Sequence, residues 1–254
     1  VMNLSGVAPD EAYSAAQDLA ASGRYSDAIV AYSAAISGDP DHITARVGRG
    51  LAFQRIGEHL KALADFDSVI SSYTDWPGAF VAYYGRAVSR QALGQTVEAM
   101  ADCNEAIGRN PEHADALYLR GTARKALGQV EAAICDMDAV LRIDPTYHEA
   151  YLVRGGLYHS QQHWEQAVAD FTAAMEHIPE RAPAVRECLC LRGMAAQQLG
   201  EHHVAIADFT RTIELAPGDG AAYLRRSWSY REIGEAASAA ADLQAGMRCS
   251  AACR

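Results

Sequence analysis

With 254 residues, half of them apolar, the chain is long enough to bury a sizeable core. Its 22 basic and 32 acidic side chains leave a formal charge of -10, which speaks against nucleic acid as the main partner, because phosphate binding needs a basic face. No apolar run approaches the roughly 18 residues of a membrane span, and the first eight residues lack the charged and apolar regions of a signal peptide. A cytoplasmic location and a basic or neutral protein partner are therefore expected.

Residues 1–8 read as an N-terminal extension, with Asp10 a candidate cap for the first helix. From residue 9 onward one pattern recurs. Its clearest copy, residues 114–147, reads as two amphipathic helices, Asp115 to about Leu127 and Val130 to about Ile143, joined at Gly128-Gln129 and stopped by Asp144-Pro145. The turn position is filled successively by Gly23, Gly57, Gly94, Gly128, Gln162, Gly200 and Gly234, at spacings of 34, 37, 34, 34, 38 and 34 residues. Seven hairpins follow, at about 9–42, 43–76, 80–113, 114–147, 148–181, 186–219 and 220–253, with small insertions at 77–79 and 182–185. A hairpin this small cannot bury its own apolar faces and must stack on its neighbours, which makes residues 9–253 a single solenoid.

Other positions keep the same register. Alanine stands early in every second helix, at Ala28, Ala62, Ala99, Ala133, Ala167, Ala205 and Ala239. The facing first-helix positions, Ala16, Gly50, Ala87, Gly121, Gly155, Gly193 and Ser227, are all small, as close helix approach requires. Tyr32, Phe66, Cys103, Met137, Phe171, Phe209 and Leu243 are expected to fill the core between hairpins, and Pro40, Pro111, Pro145, Pro179 and Pro217 end second helices.

This combination resembles the tetratricopeptide repeat (TPR) family over residues 9–253. Tyr83, Tyr151 and Tyr223 match the aromatic that the family often carries early in the first helix, while Ala12 and Arg46 depart from it. The resemblance implies an all-α, right-handed superhelical solenoid of seven antiparallel helix hairpins, with the first helices forming a concave wall.

One recurrence is read from the residues themselves. Arg49, Arg86, Arg120, Arg154, Arg192 and Arg226 precede the small residue, and sixteen positions after each comes Asp65, Asp102, Asp136, Asp170, Asp208 and Asp242. The first hairpin lacks both, with Ala15 and Ala31 in these places. Charges that come and go in pairs predict a structural guanidinium–carboxylate fork within each hairpin rather than an anion-binding row.

In the family's register the exposed inner face maps to Tyr84, Val88 and Gln91; Tyr118, Thr122 and Lys125; Leu152, Gly156 and His159; Cys190, Met194 and Gln197; and Leu224, Trp228 and Arg231. Such an apolar and aromatic strip suits an extended peptide or a docked helix. The chaperone-binding subset of the family holds a C-terminal carboxylate with lysine, asparagine and arginine, but Tyr13, Gln17, Gly48, Val81 and Gly85 occupy those positions, so that role is disfavoured.

No phosphate loop, nucleophile elbow or HExxH is present. His159 and His163, four apart, straddle a turn and make a poor metal pair, and His202-His203 read as solvated turn residues. Cys103, Cys135, Cys188, Cys190, Cys249 and Cys253 have no metal-binding spacing and are expected as reduced thiols, with Cys249 and Cys253 most open to oxidation. Trp76, in the first insertion, either anchors a partner or caps its own hairpin.

The sequence thus predicts a non-enzymatic, cofactor-free protein-binding scaffold. Two alternatives are the repeat region of a larger enzyme or regulator, and an architectural subunit of an assembly. The last helix carries no polar cap, so self-association or a further chain is expected at that end.

Overall fold

The computed structural model describes residues 7–73, 75–179 and 183–252. Most of the expected N-terminal extension, part of the second insertion and Cys253 lie outside the described residues. Among those described there are fourteen α-helices and no strand, and no helix is long and apolar enough to cross a membrane.

The chain forms two compact units that meet in sequence at Gln129 and Val130. The first holds α1 (Pro9–Ala21), α2 (Tyr25–Gly38), α3 (Ile43–Arg55), α4 (His59–Ser72), α5 (Ala79–Ala92), α6 (Thr96–Arg109) and α7 (Ala114–Ala126). The second holds α8 (Val130–Ile143), α9 (His148–Ser160), α10 (Trp164–His177), α11 (Pro183–Gln198), α12 (His202–Leu215), α13 (Gly220–Glu232) and α14 (Ala236–Ala252). Within each unit, successive helices pack on one another as a stack of hairpins.

The turns follow from one backbone requirement. Gly23, Gly57, Gly94, Gly128, Gly200 and Gly234 all sit at φ of 73 to 83°, the left-handed region that closes a helix end with little steric penalty for glycine. Gln162 adopts the same conformation, at φ 62°. The amide behind the turn residue reaches back into the helix it closes; Gln95 N donates to Arg90 O at 2.9 Å, and His163 N to Tyr158 O at 2.9 Å.

Helix starts use different devices. His42 and His113 accept the amide protons of Ala45 and Ala116 on Nδ1, and Asp219 accepts from Ala222. The expected cap at Asp10 is corrected: α1 begins one residue earlier, with Pro9 in its first turn and Ala8 as an N-cap without a side-chain bond. Asp10 and Glu11 instead place negative charge in the first turn, where the helix dipole favours it.

Six of the seven recurring alanines are fully buried, whereas Ala239 in the last hairpin is half-exposed. The small first-helix residues make room for rings. A Cβ on Gly50 would stand 2.8 Å from Phe66, on Gly155 3.0 Å from Phe171, and on Gly193 2.9 Å from Phe209. Those rings are 0 % exposed. Leu243 departs from the expected core pattern at 47 % exposed, because no described helix follows α14 to cover it.

The first insertion folds against its own unit. Tyr73 donates its hydroxyl to Asp41 at 2.6 Å, while Trp76 lies half-buried against the core and covers Gly78. Ile43, Ser72, Tyr73, Asp75 and Trp76 line an open cavity of about 320 Å³ there.

Candidate functional site

Six arginines organise the helix pairs. Arg49, Arg86, Arg154, Arg192 and Arg226 each donate through Nε and Nη2 to the two oxygens of Asp65, Asp102, Asp170, Asp208 and Asp242, at 2.6 to 3.0 Å. All five carboxylates are buried, which gives these charge-assisted bonds a low-dielectric setting. The sixth expected pair takes one member from each unit, Arg120 from α7 and Asp136 from α8.

A third arm is not evident from the pairing alone. The remaining Nη1 reaches the second helix of the preceding hairpin, where Arg49 meets Ser33 at 3.1 Å, Arg86 meets Asp67 at 2.7 Å, and Arg120 meets Asn104 at 2.9 Å. In the second unit Arg154 meets Asp138, Arg192 meets Thr172 at 3.0 Å, and Arg226 meets Thr210 at 2.9 Å. Each acceptor directly follows the bulky core residue of its helix, and that is the signal that could have revealed it. Three of the guanidiniums also lie over a tyrosine three residues back, Tyr83, Tyr151 or Tyr223, at 5.5 to 5.7 Å. The arginines are thereby committed to joining helices. Arg154 is held firmly protonated, first by its hydrogen bond to Asp170.

The residues mapped to an inner face lie on first helices in both units. In the first unit Tyr84, Val88 and Gln91 on α5 are half-buried, as are Tyr118 and Thr122 on α7, and Lys125 is exposed. Tyr84 leans on His113 at 4.7 Å between ring centres, and burial pushes its hydroxyl up to about 12, so it stays a neutral donor. Thr122 donates to Leu119 O at 2.8 Å, which occupies its hydroxyl proton within the helix.

In the second unit Leu152, Gly156 and His159 on α9 are half-buried, and so are Cys190 and Met194 on α11. Leu224 and Arg231 on α13 are exposed, and Trp228 is half-buried with His202 packed edge-on at 5.3 Å. His202 is thus half-buried rather than a solvated turn residue. Burial, and then the nearby charge of Arg225, hold the His159 imidazole below its usual range.

Gln197 requires correction. It is only 6 % exposed, and its amide donates to Arg225 O at 2.8 Å and Ser229 Oγ at 2.7 Å. Gln54 makes the same pair of bonds to Gly85 O and Ser89 Oγ, so this register position seats one first helix on the next.

Other reactive groups are embedded. Cys103 and Cys188 are buried, and burial raises the Cys188 thiol to about 12, which keeps it protonated and inert. His159 packs edge-on to Trp164 at 5.0 Å, and no group of three or more potential metal ligands forms among the described residues. Gly48 and Gly85, at carboxylate-clamp positions, face Tyr32 and Phe66 so closely that an added Cβ would stand 2.6 and 2.5 Å from the rings.

Residues 13–79, 84–148 and 190–251 match the family model described as tetratricopeptide repeat. Comparison with curated protein sequences finds no significant match. Among solved structures, a tetratricopeptide repeat protein from Parabacteroides merdae is similar with a TM-score of 0.63 at 22 % identity, over 95 % of this chain and 93 % of that one. YrrB, described as a TPR protein with an unusual peptide-binding site, superposes with a TM-score of 0.62 at 19 % identity, over 73 % of this chain and 92 % of its own. MamA from Desulfovibrio magneticus gives 0.60 at 19 % identity, over 67 % and 94 %. At these identities the likeness is one of fold.

Proposed function

Because the chain belongs to the tetratricopeptide repeat family, we propose that it is a non-enzymatic scaffold whose first helices hold a segment of a partner protein. The observation that carries this reading is a division of labour on those helices. Arginine, glycine and alanine positions are consumed by packing. Tyr84, Val88, Tyr118 and Thr122 in one unit, and Leu152, Met194, Leu224 and Trp228 in the other, keep apolar or aromatic surface available. Aligned apolar surface of this kind commonly marks an interaction site, and aromatic side chains anchor partners at small entropic cost. The peptide site described for YrrB, on a similar fold, supports the same use.

A peptide rather than a bare carboxylate is the expected ligand. With Gly48 and Gly85 packed tightly against rings, the carboxylate clamp has no space for its cations, whereas the exposed Lys125 offers a polar contact at the margin. Peptides selected from a displayed library should photo-crosslink to probes placed at Tyr84, Tyr118 or Trp228. Tyr118→Ala or Trp228→Ala should weaken those peptides by about 1–2 kcal/mol or more, while Val97→Ser on the exposed face of α6 should not. Peptides that bind all variants equally, or that crosslink to second helices, would refute the proposal.

A further inference from the structure

The first and last hairpins depart from the stacking register in complementary ways. Inside the units, Gln54 and Gln197 each donate to a carbonyl and a hydroxyl on the next first helix, four residues apart. The hydroxyl position is Ser89 or Ser229 there and Ala52, Ala123, Leu157 or Ala195 in other hairpins, and all six side chains are buried. In the first hairpin the same position is Asp18, and it is exposed. The position of the donating glutamine in the last hairpin is Arg231, with its side chain 70 % exposed and, among the described residues, only the neighbouring Glu232 as an ion-pair partner, at 3.6 Å. A carboxylate therefore replaces the hydroxyl in the first hairpin, and a guanidinium replaces the amide in the last.

Shape follows the same logic. Leu243 is 47 % and Met247 54 % exposed, whereas Phe66, Phe171 and Phe209, the equivalents of Leu243, are at 0 %, and Ile70, Leu141 and Ile213, the equivalents of Met247, are at 8 to 9 %. Inside the first unit, Gly48 lies over Tyr32 and Gly85 over Phe66, whereas at the matching position the larger Leu119 packs against the cluster that holds Cys103. On α1 the matching residue is Ser14, one turn before Asp18 and also small. Glu11, on the same helical stripe as Ser14 and Asp18, adds negative charge to this face, as Arg248 adds positive charge to α14.

We propose that α1 of one copy seats on α13 and α14 of a second copy, with Arg231 meeting Asp18 and Leu243 covered at Ser14, so that chains associate head to tail. Such a heterologous contact uses two different faces and can extend to longer assemblies. It uses the ends of the stack and leaves Tyr84, Tyr118 and Trp228 open, so it can fail while the peptide-binding proposal holds, and the reverse.

Sedimentation of the 254-residue chain from micromolar to millimolar concentration tests this. The mass should rise with concentration and fall with added salt, as expected for an exposed ion pair at a contact. Asp18→Arg or Arg231→Glu should each weaken association by about tenfold or more through like-charge apposition, and Leu243→Glu should do the same. Mixing the first two variants is the sharpest arm. Each keeps one intact end, and the two altered ends are again opposite in charge, so the mixture should recover association that neither variant shows alone. Circular dichroism, unchanged for exposed substitutions, verifies folding. A wild-type chain that stays monomeric throughout would overturn the proposal. So would an Asp18→Arg variant that associates like wild type, the mark of a tail-to-tail pair, or a mixture that associates no better than either variant alone.

Discussion

Replacing Arg154 with methionine removes one guanidinium and leaves Asp170 behind. Arg154 gives Asp170 bonds of 2.8 and 2.7 Å, and the carboxylate side chain is only 6 % exposed, so solvent cannot take over the lost donors. A hydrogen bond to a charged group contributes about 1.5–3 kcal/mol, and orphaning one member of a buried pair costs about 3–5 kcal/mol. The variant should lose that amount, a fall in Tm of roughly 6–20 °C. Arg154→Met with Asp170→Leu should recover most of it, since neither charge is then stranded. Burial already raises the Asp170 carboxyl against the pull of Arg154; without the arginine it rises further. A folded-state carboxyl that titrates above its unfolded value binds protons more readily when folded, so the single variant should regain stability as pH falls through that interval. Urea unfolding of the four proteins of the double-mutant cycle at two pH values measures both effects. Additive losses, or a single-variant loss below about 1 kcal/mol, would refute the buried-fork argument.

Three other substitutions probe other parts of the stack. Gln162→Gly should stabilise the second unit by about 1 kcal/mol, because the left-handed backbone at φ 62° strains any side chain, and thermal melting measures it. Gly85→Ala should cost about 1–3 kcal/mol, since its Cβ would press to 2.5 Å of the Phe66 ring; Gly156→Ala, with nothing within 4 Å, should instead gain up to about 1 kcal/mol from helix propensity. A gain at Gly85 would show that the ring moves aside without strain. The depressed His159 imidazole supplies stability that is complete above its ordinary range and lost as pH falls through the interval down to its lowered value. Urea midpoints across that interval should flatten in His159→Gln, and an unchanged acid limb would remove His159 as the cause.

The turns and forks were legible because both depend on residue type at a fixed interval. A left-handed turn selects glycine, so Gly23 through Gly234 mark it, and even Gln162 is found by counting. Arg and Asp sixteen apart imply each other, because neither is tolerated alone when buried. The third arginine arm was harder to see, since Ser33, Asp67, Asn104, Asp138, Thr172 and Thr210 share only the ability to accept a proton. Gln197 was misplaced for a related reason. A glutamine reads as surface until its partner is noticed, and the signal was the joint occurrence of Gln54 with Ser89 and Gln197 with Ser229. Family register placed Leu224 and Trp228 on a first-helix face, but the packing of His202 on Trp228 depends on a turn that no single-repeat pattern describes.

The arginine arms also grade how the joints between hairpins respond to ions. Those to Asp67 and Asp138 join opposite charges, and both aspartates are about half exposed, at 54 and 52 %. Those to Ser33, Asn104, Thr172 and Thr210 end on neutral oxygens. Salt screens the first kind and leaves the second nearly untouched. Rising ionic strength should therefore loosen one defined joint in each unit, between α4 and α5 in the first and between α8 and α9 in the second, while the neutral joints of the same unit hold.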